Sequence, residues 1–454
     1  MAIPACAAPR FFCENVHFRS RPKVDILASE MQLSEVPGES PHFVRSVTEM
    51  GDTRDVIASE DIYASNGTKL LAKGARIDSK QFEKLTRYKL SAPLDQVLSS
   101  DKAVDAATLA IEFDRILEHD ATYRQLLARA GDPRQLKHCT ANLRLHSTIE
   151  LRLTVMADKH PEMFDHTLRS AIIAFACAQR MGIPGPELPA VLLAALCHDF
   201  GEMHTDPRIL DQSHQVTAEE RRFVHVHPLT GYVLLKDLPG FPPAASKAVL
   251  QHHERLDGSG YPQALHGAQI DRLARIIAAA DVTETVLRRL DMQRLEILYR
   301  INKPRFDGDV LSILRDLLQP HASLPAEAGP AADPAERLNH LSQLLQAWFD
   351  LRAMLVQRPA ADSPGSPMAF LFDRMASIRS LVLQAGFNPD DMTSMLAMMQ
   401  DDPVVLAELR AMLDEMDWLL ADLANEIDRR SPELDGLSQG ALKDLMHHLR
   451  PEVH

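Results

Sequence analysis

Helical periodicity dominates the chain from Asp101 onward. In the segment VDAATLAIEFDRILEHD, the apolar residues Leu109, Phe113 and Ile116 recur at three- and four-residue steps, which is the spacing of one helix face. The same kind of pattern continues in 134–182, 187–201, 218–237, 243–256 and 270–290. We therefore expect an all-α middle region, in which helices pack through their apolar faces.

The first hundred residues follow a different pattern. Residues 1–52 show no periodicity, so we expect an irregular N-terminal arm. Asn66-Gly67 lies between two apolar pairs and predicts a β-hairpin. A short helix follows, so residues 53–100 read as a small α+β module and 101–158 as a helical connector.

The C-terminal part contains segments rich in Pro, Ala and Ser, which are typical of linkers. We expect a linker at 319–335 and a helical region at 336–454. Helical runs are predicted at 336–357, 368–386 and 403–430. The last run carries the apolar stripe Leu409, Leu413, Met416, Leu420, Leu423 and Ile427. Such a stripe packs inside a helical bundle or, as the alternative, forms the seam of a homodimer.

Composition narrows the function classes. The formal charge of −14 argues against general binding to nucleic acid or to anionic membranes, which requires basic surface. The sequence contains no run of about 18 apolar residues, so we predict no membrane span. The N-terminus does not resemble a signal peptide. The five cysteines are scattered and odd in number, which fits a reducing cytoplasm.

Histidine is concentrated in one part of the chain. Ten of the twenty histidines lie between His160 and His266, together with Asp199 and Asp281. Neutral imidazole combined with carboxylate is a ligand set for iron, manganese, zinc or nickel. The densest segment is HHERLDGSGYP at residues 252–262, where two adjacent histidines precede a loop rich in glycine and proline.

Four segments together resemble the HD-GYP family of metal-dependent phosphohydrolases. They are HHERLDGSGYP, LCHDFG, HVHPLTG and ARIIAAAD, and RFDGDVLSIL is similar to the closing helix of the family. The resemblance covers about residues 159–318 and implies an all-α HD-type helical bundle. It also implies hydrolysis of the bacterial second messenger cyclic di-GMP, so the expected partner is a cyclic dinucleotide.

The resemblance implies a centre of two or three divalent metal ions, iron first and manganese next. Its expected ligands are His166, His198, Asp199, His227, His252, His253 and Asp281. Asp199 would bridge two ions, and His198-Asp199 forms the expected catalytic pair. Glu162 matches the extra carboxylate of members with a third ion; an exposed helix glutamate is the alternative.

The same resemblance implies the chemistry. Two ions activate a bridging hydroxide, which attacks the phosphodiester in line and yields pGpG or GMP. Gly260, Tyr261 and Pro262 are expected to shape the wall of the substrate site. Arg288 and Arg289 are candidate phosphate contacts, although a solvated helix face is the alternative for both.

Two departures from the family pattern keep other functions open. The family's HDxGK carries a lysine where this chain has Glu202, which reverses a charge near the expected phosphate. The segment after Asp281, VTETVLRRL, also differs from the family. The first alternative is therefore a weak or inactive HD-GYP sensor that keeps metal. The second is a phosphohydrolase for another nucleotide.

Overall fold

The computed structural model describes residues 40–210, 214, 217–289, 295, 298–299, 302, 304–319, 334–356, 369–384, 403–430, 442, 445 and 449. The helices are α1 (Pro41–Met50), α2 (Phe82–Arg87), α3 (Ala106–His119), α4 (Ala121–Ala130), α5 (Arg134–Ala141), α6 (Ser147–Lys159), α7 (Pro161–Arg180), α8 (Leu188–Cys197), α9 (Pro207–Leu210), α10 (Ala218–His225), α11 (His227–Leu235), α12 (Pro243–Gln251), α13 (Arg272–Arg289), α14 (Gly308–Leu318), α15 (Pro334–Val356), α16 (Ala369–Gln384) and α17 (Pro403–Arg430). The strands are β1 (Val56–Ala58), β2 (Ile62–Tyr63), β3 (Lys69–Leu71) and β4 (Leu98–Ser100). The prediction of a mainly α fold with a small α+β N-terminal module is confirmed.

The N-terminal module contains two antiparallel strand pairs. β2 and β3 form the predicted hairpin, and Gly67 in its turn has a φ of +85°, a conformation that favours glycine. β1 pairs with β4, with Val56 opposite Ser100. The second pair joins segments far apart in sequence, which local patterns do not reveal.

The expectation of an irregular arm over 1–52 is wrong for its last part. Residues Pro41–Met50 form α1, which begins with proline in its first turn, where a missing N–H is tolerated. Phe43, Val47 and Met50 lie on its buried face, and α1 packs against α6. A ten-residue amphipathic segment gains its stability mainly from such packing, so its short pattern was easy to miss. Residues 1–39 lie outside the described residues.

One hydrophobic core extends from α1 through the module and the central helices to α14. α7 occupies its centre and packs against α4, α6, α8 and α13. The predicted helical run up to Gly182 is interrupted between α5 and α6, where the His146 side chain accepts a hydrogen bond from the Thr148 amide. This cap sets the start of α6 and lets the chain turn back onto the core.

The C-terminal helices α15, α16 and α17 pack against one another around a second, separate core. All six residues of the predicted stripe are buried there, so within the described residues the stripe packs inside the chain's own bundle. Polar contacts connect this bundle to the rest of the molecule. They are Asn302 Nδ2 to Glu415 Oε1 at 2.6 Å, Arg305 to Asp422 at 2.8 Å and Arg374 to Asp257 at 2.6 Å.

Among the residues that the structure describes, no helix is long and apolar enough to cross a membrane.

Candidate metal centre

The candidate site lies where the ends of several helices meet. His166 lies on α7, and His198 and Asp199 follow directly after the apolar helix α8. The remaining expected ligands come from the start of α11, the end of α12 and the middle of α13, and they are His227, His252, His253 and Asp281. α7, α8, α12 and α13 pack against one another, which brings these ends together.

Asp199 is at the centre of this arrangement. Its Oδ1 lies 3.5 Å from Nε2 of His227 and 3.5 Å from Nε2 of His252. Its Oδ2 lies 3.0 Å from Nε2 of His198 and 3.7 Å from Nε2 of His166. The two oxygens therefore face different pairs of imidazoles, as a carboxylate shared between two ions must do.

Backbone carbonyls hold three of the rings in one orientation. Nδ1 of His198, His227 and His252 donates to the carbonyl of the residue three positions earlier, at 2.7 Å in each case. Because Nδ1 carries the proton, Nε2 of each neutral ring presents a lone pair to the interior of the site.

The donor atoms fit divalent metal ions. Asp199, His227, His252 and His253 each offer a ligand atom within 4.8 Å of one another, and His166, His198 and Asp199 form a second such group. Nε2 of His198 is buried 3.0 Å from Oδ2 of Asp199, and with the ring proton on Nδ1 both atoms are acceptors, so neither satisfies the other. A buried lone pair without a partner is costly, and a cation would satisfy it.

Electrostatics keep three of the expected ligands, Asp199, His227 and His253, in their binding forms. Burial opposes ionisation of Asp199, but the imidazoles of His198, His252 and His227 outweigh it and hold the pKa of Asp199 well below its usual range. Burial lowers the pKa of His227 to about 3, and burial also holds the pKa of His253 well below its usual value. At neutral pH the ionised carboxylate of Asp199 therefore lies beside the neutral rings of His227 and His253. Burial also acts to lower the pKa of His198, but the charge of Asp199 and its hydrogen bond to the protonated ring outweigh burial and raise this pKa.

His166 is bound differently from the other rings. Its Nε2 lies 3.3 Å from Oδ1 of Asp281, and its Nδ1 is hydrogen-bonded to the fully buried carboxylate of Glu284. Burial lowers the pKa of His166, but the bonds to Asp281 and Glu284 outweigh it and raise this pKa well above its usual value.

The loop after His253 is tightly packed. The ring of Tyr261 lies between His253, at a centroid distance of 4.7 Å, and His225, at 4.2 Å, and is stacked on both. Both faces of the tyrosine are therefore covered, which leaves its edge and hydroxyl for a ligand. A Cβ on Gly260 would lie 2.4 Å from the Arg255 backbone nitrogen, so this glycine permits close backbone packing.

Two carboxylates of the same motif hold the loop in place. Glu254 accepts hydrogen bonds from the amides of Gln263 and Leu265, at 2.6 and 2.8 Å. Asp257 accepts from the Ser259 amide at 3.0 Å and pairs with Arg374 of α16. Their role is structural, and Pro262 follows Tyr261 through a cis peptide bond.

Glu202 lies in a short 3-10 helix, Phe200–His204, directly beside the site. Its Oε1 is 4.0 Å from Nδ1 of His227, and its side chain is 24% exposed. Burial and the charge of Asp199 raise the pKa of Glu202 to about 8. The position that carries a lysine in the HD-GYP pattern therefore offers no positive charge to a phosphate.

Glu162 and the arginines of α13 lie at the edge of the site. Glu162 belongs to neither donor group among the described residues; its side chain is 80% exposed and lies 4.0 Å from Arg288. Nε of Arg288 lies 3.6 Å from Glu284. The side chain of Arg289 is outside the described residues, so its predicted phosphate contact stays a prediction.

Sequence reasoning did not identify Glu284 and Arg374 as residues of the site or of its loop. Glu284 follows Asp281 by three residues on α13, so the two carboxylates lie on one face of the helix. This spacing could have identified Glu284 from the sequence. Arg374 follows the loop that it contacts by more than a hundred residues, and no local pattern indicates it.

Comparisons with known proteins place the same segment in one family. Residues 151–310 match the family model described as HD domain, and an HD domain implies a divalent metal site. A cyclic di-GMP phosphodiesterase of Pseudomonas aeruginosa is 29% identical over 37% of this chain and 40% of its own length. The cyclic di-GMP phosphodiesterase response regulator RpfG of Xanthomonas campestris pv. campestris is 35% identical, over 26% of this chain and 32% of its own.

A third relative acts on a different cyclic dinucleotide. The 3'3'-cGAMP-specific phosphodiesterase 1 of Vibrio cholerae is 30% identical over 36% of this chain and 40% of its own length. The chain thus spans two fifths or less of the length of these three relatives.

Proposed function

We propose that this chain, which matches an HD domain over residues 151–310 and resembles the HD-GYP family, is a metal-dependent phosphodiesterase that opens a cyclic dinucleotide. Cyclic di-GMP is the first substrate that we propose, and 3'3'-cGAMP is the second because a relative is specific for it. The observation that carries the proposal is the pair of donor groups that share Asp199.

The roles of the residues follow from their geometry. His166, His198 and Asp281 would hold one ion, and His227, His252 and His253 the other, with Asp199 between them. When bound, two such ions supply Lewis acidity and make water a nucleophile near neutral pH. The backbone carbonyls keep the rings oriented, and the packed loop around Tyr261 limits access of bulk water from that side.

The finer parts of the proposal are the metal, the product and the compartment. We choose iron first and manganese next because the family resemblance implies this order; the mixed nitrogen and oxygen donor set suits both ions and does not decide between them. The product is pGpG, or GMP after a second hydrolysis. The cytoplasm is our choice of compartment, and Cys139, Cys177 and Cys197 are buried free thiols, as a reducing environment allows.

One experiment tests both the metal and the reaction. The protein is purified anaerobically with Fe²⁺ or Mn²⁺, and bound metal and turnover of the two cyclic dinucleotides are measured on the same sample. We expect at least two ions per chain together with a linear product. His252→Ala should lose both the bound metal and the turnover. His138 is an exposed histidine on α5, so His138→Ala should keep both.

The other outcomes decide against parts of the proposal. A full complement of metal without product from either nucleotide overturns the phosphodiesterase. Protein that takes up no metal under these conditions overturns the metal centre itself.

Glu202 favours a sensor as the second candidate function. A carboxyl beside His227, where the family pattern has lysine, weakens the grip on a phosphate. If the chain is a sensor for this reason, cyclic di-GMP binds without turnover, and Glu202→Lys creates turnover. If the wild-type protein already hydrolyses the nucleotide, the sensor is excluded.

A further inference from the structure

The four imidazoles around Asp199 differ in the hydrogen-bond partner of their Nδ1 atoms. Three donate through Nδ1 to neutral backbone carbonyls at 2.7 Å. Only His166 among these four is bonded through Nδ1 to a carboxylate, that of Glu284. A carboxylate partner makes the opposite nitrogen a stronger electron donor than a carbonyl partner does.

Among the described residues, the close polar contact of the Glu284 side chain is with Nδ1 of His166. The side chain of Glu284 is 0% exposed, and the free energy of burying an ionised carboxylate is high unless it is paired. Its second oxygen lies 3.6 Å from Nε of Arg288, which is too far for a good hydrogen bond, so the ion pair with Arg288 is weak. The bond to His166 is therefore its main compensation.

The charges around the two donor groups are unequal as a result. The group formed by His227, His252 and His253 contains one carboxylate, the shared Asp199. On the His166 side, Asp281 lies 3.3 Å from the ring and Glu284 is bonded behind it. Three carboxylates thus lie on the His166 side. The other donor group contains only Asp199 as a carboxylate, and Glu202 lies 4.0 Å from Nδ1 of His227, beyond hydrogen-bonding distance.

We propose that Glu284 is a positioning residue that strengthens His166 as a ligand and makes the His166 position the tighter of the two metal positions. The inference rests on the metal centre of the proposed function. It adds that the two positions fill in a fixed order, first the His166 position and then the position of His227, His252 and His253. Loss of a partner behind a ligating histidine typically weakens metal binding about 10- to 100-fold.

The test uses Mn²⁺ as the probe. Wild type, Glu284→Gln and Glu284→Ala are stripped of metal and titrated with Mn²⁺, and bound metal is followed by equilibrium dialysis with elemental analysis. Glu284→Gln keeps a hydrogen-bond acceptor and loses the charge. Glu150→Gln on α6 is the matched control, because Glu150 is a half-buried glutamate that belongs to neither donor group.

We expect wild type and Glu150→Gln to bind two ions with separate affinities. In Glu284→Gln the tighter affinity should weaken about 10- to 100-fold and the weaker one stay unchanged. In Glu284→Ala the loss should be at least as large. Electron paramagnetic resonance at one Mn²⁺ per chain gives a second readout, because the ion should move from the His166 position to the other.

Each remaining result has a defined meaning. Two unchanged affinities in Glu284→Gln overturn the inference, and so does equal weakening of both positions in a variant with an unchanged circular dichroism spectrum. Wild-type protein that binds no Mn²⁺ overturns the metal centre of the proposed function. The two failures are therefore distinguishable.

Discussion

Nε2 of His227 lies 3.1 Å from Nε2 of His252, and each ring donates its Nδ1 proton to a backbone carbonyl 2.7 Å away. Two buried lone pairs thus face each other when both rings are neutral. A cation bound to both nitrogens removes this repulsion, so metal binding and folding are coupled at this contact.

The first prediction concerns removal of metal. Protein treated with a chelator should unfold at a lower temperature than protein with Mn²⁺ restored, and free Mn²⁺ at 100 times Kd should add about 2.7 kcal/mol of stability. Thermal unfolding over a Mn²⁺ titration measures this. His138→Ala should keep the response and His252→Ala should lose it; equal unfolding temperatures with and without metal would contradict the coupling.

The second prediction concerns pH and Glu202. Burial raises the pKa of Glu202 from 4.5 to about 8 in the metal-free folded protein. Between these values the folded state holds a proton that the unfolded state has released, so this group lowers stability as pH rises through the window. Glu202→Gln cannot ionise and should be spared this loss.

Urea unfolding of chelated wild type and Glu202→Gln between pH 4 and 8.5 checks the sign. The advantage of the glutamine variant should be near zero at the acid end and grow by up to about 1.4 kcal/mol per pH unit inside the window. A difference that stays constant with pH would show that Glu202 ionises as it does in water.

The third prediction concerns Gly201. A Cβ at this position would lie 2.0 Å from the carbonyl oxygen of His227. The Cβ is fixed to its own backbone and the oxygen is a backbone atom, so neither can rotate away. Gly201→Ala should therefore displace the start of α11, cost about 3 kcal/mol or more, and reduce bound metal. Gly185→Ala is the control, because its nearest neighbour would be the flexible end of Gln135 at 3.8 Å. Equal stability and metal content in the two variants would contradict the prediction.

The fourth prediction concerns Arg374. It pairs with Asp257 at 2.6 Å, and removal of one partner from such a contact costs about 1–3 kcal/mol. Hydrogen exchange of the amides at 256–261 should therefore be about ten-fold faster or more in Arg374→Ala. Arg337→Ala removes a comparable pairing with Asp414 and Asp417 inside the bundle and should leave these amides unchanged. Equal exchange in both variants would show that α16 does not hold the loop.

Much of the site was predictable because its residues occur in short motifs. His198 and Asp199 are neighbours, and so are His252 and His253, so the local chain already places them together. Helical periodicity predicted most of the elements that carry them, and α8, which is buried on all sides, was predicted from its continuous apolar run instead. The structure places His166, His227 and Asp281 at the same centre.

The rest depends on packing between distant segments. The pairing of β1 with β4 and the contact of Arg374 with Asp257 are set by tertiary structure. α1 is only ten residues long, so its amphipathic pattern spans fewer than three turns and does not stand out before the helix is seen against α6. Glu284 is a different case, because only the bond to His166 distinguishes it from an ordinary helix glutamate.

The contact between Asp257 and Arg374 also has a thermodynamic consequence. The C-terminal bundle has its own apolar core, so what joins it to the loop of the metal centre is a set of charged side chains rather than shared hydrocarbon. Salt at 0.1 M screens exposed charges that are more than about 10 Å apart, whereas these partly buried pairs are in direct contact at 2.6 and 2.8 Å and are screened little. The bundle's hold on the loop should therefore persist at physiological salt, unlike that of an exposed ion pair. Linkage is reciprocal, so a ligand that favours the restrained loop must tighten the bundle's hold by the same free energy.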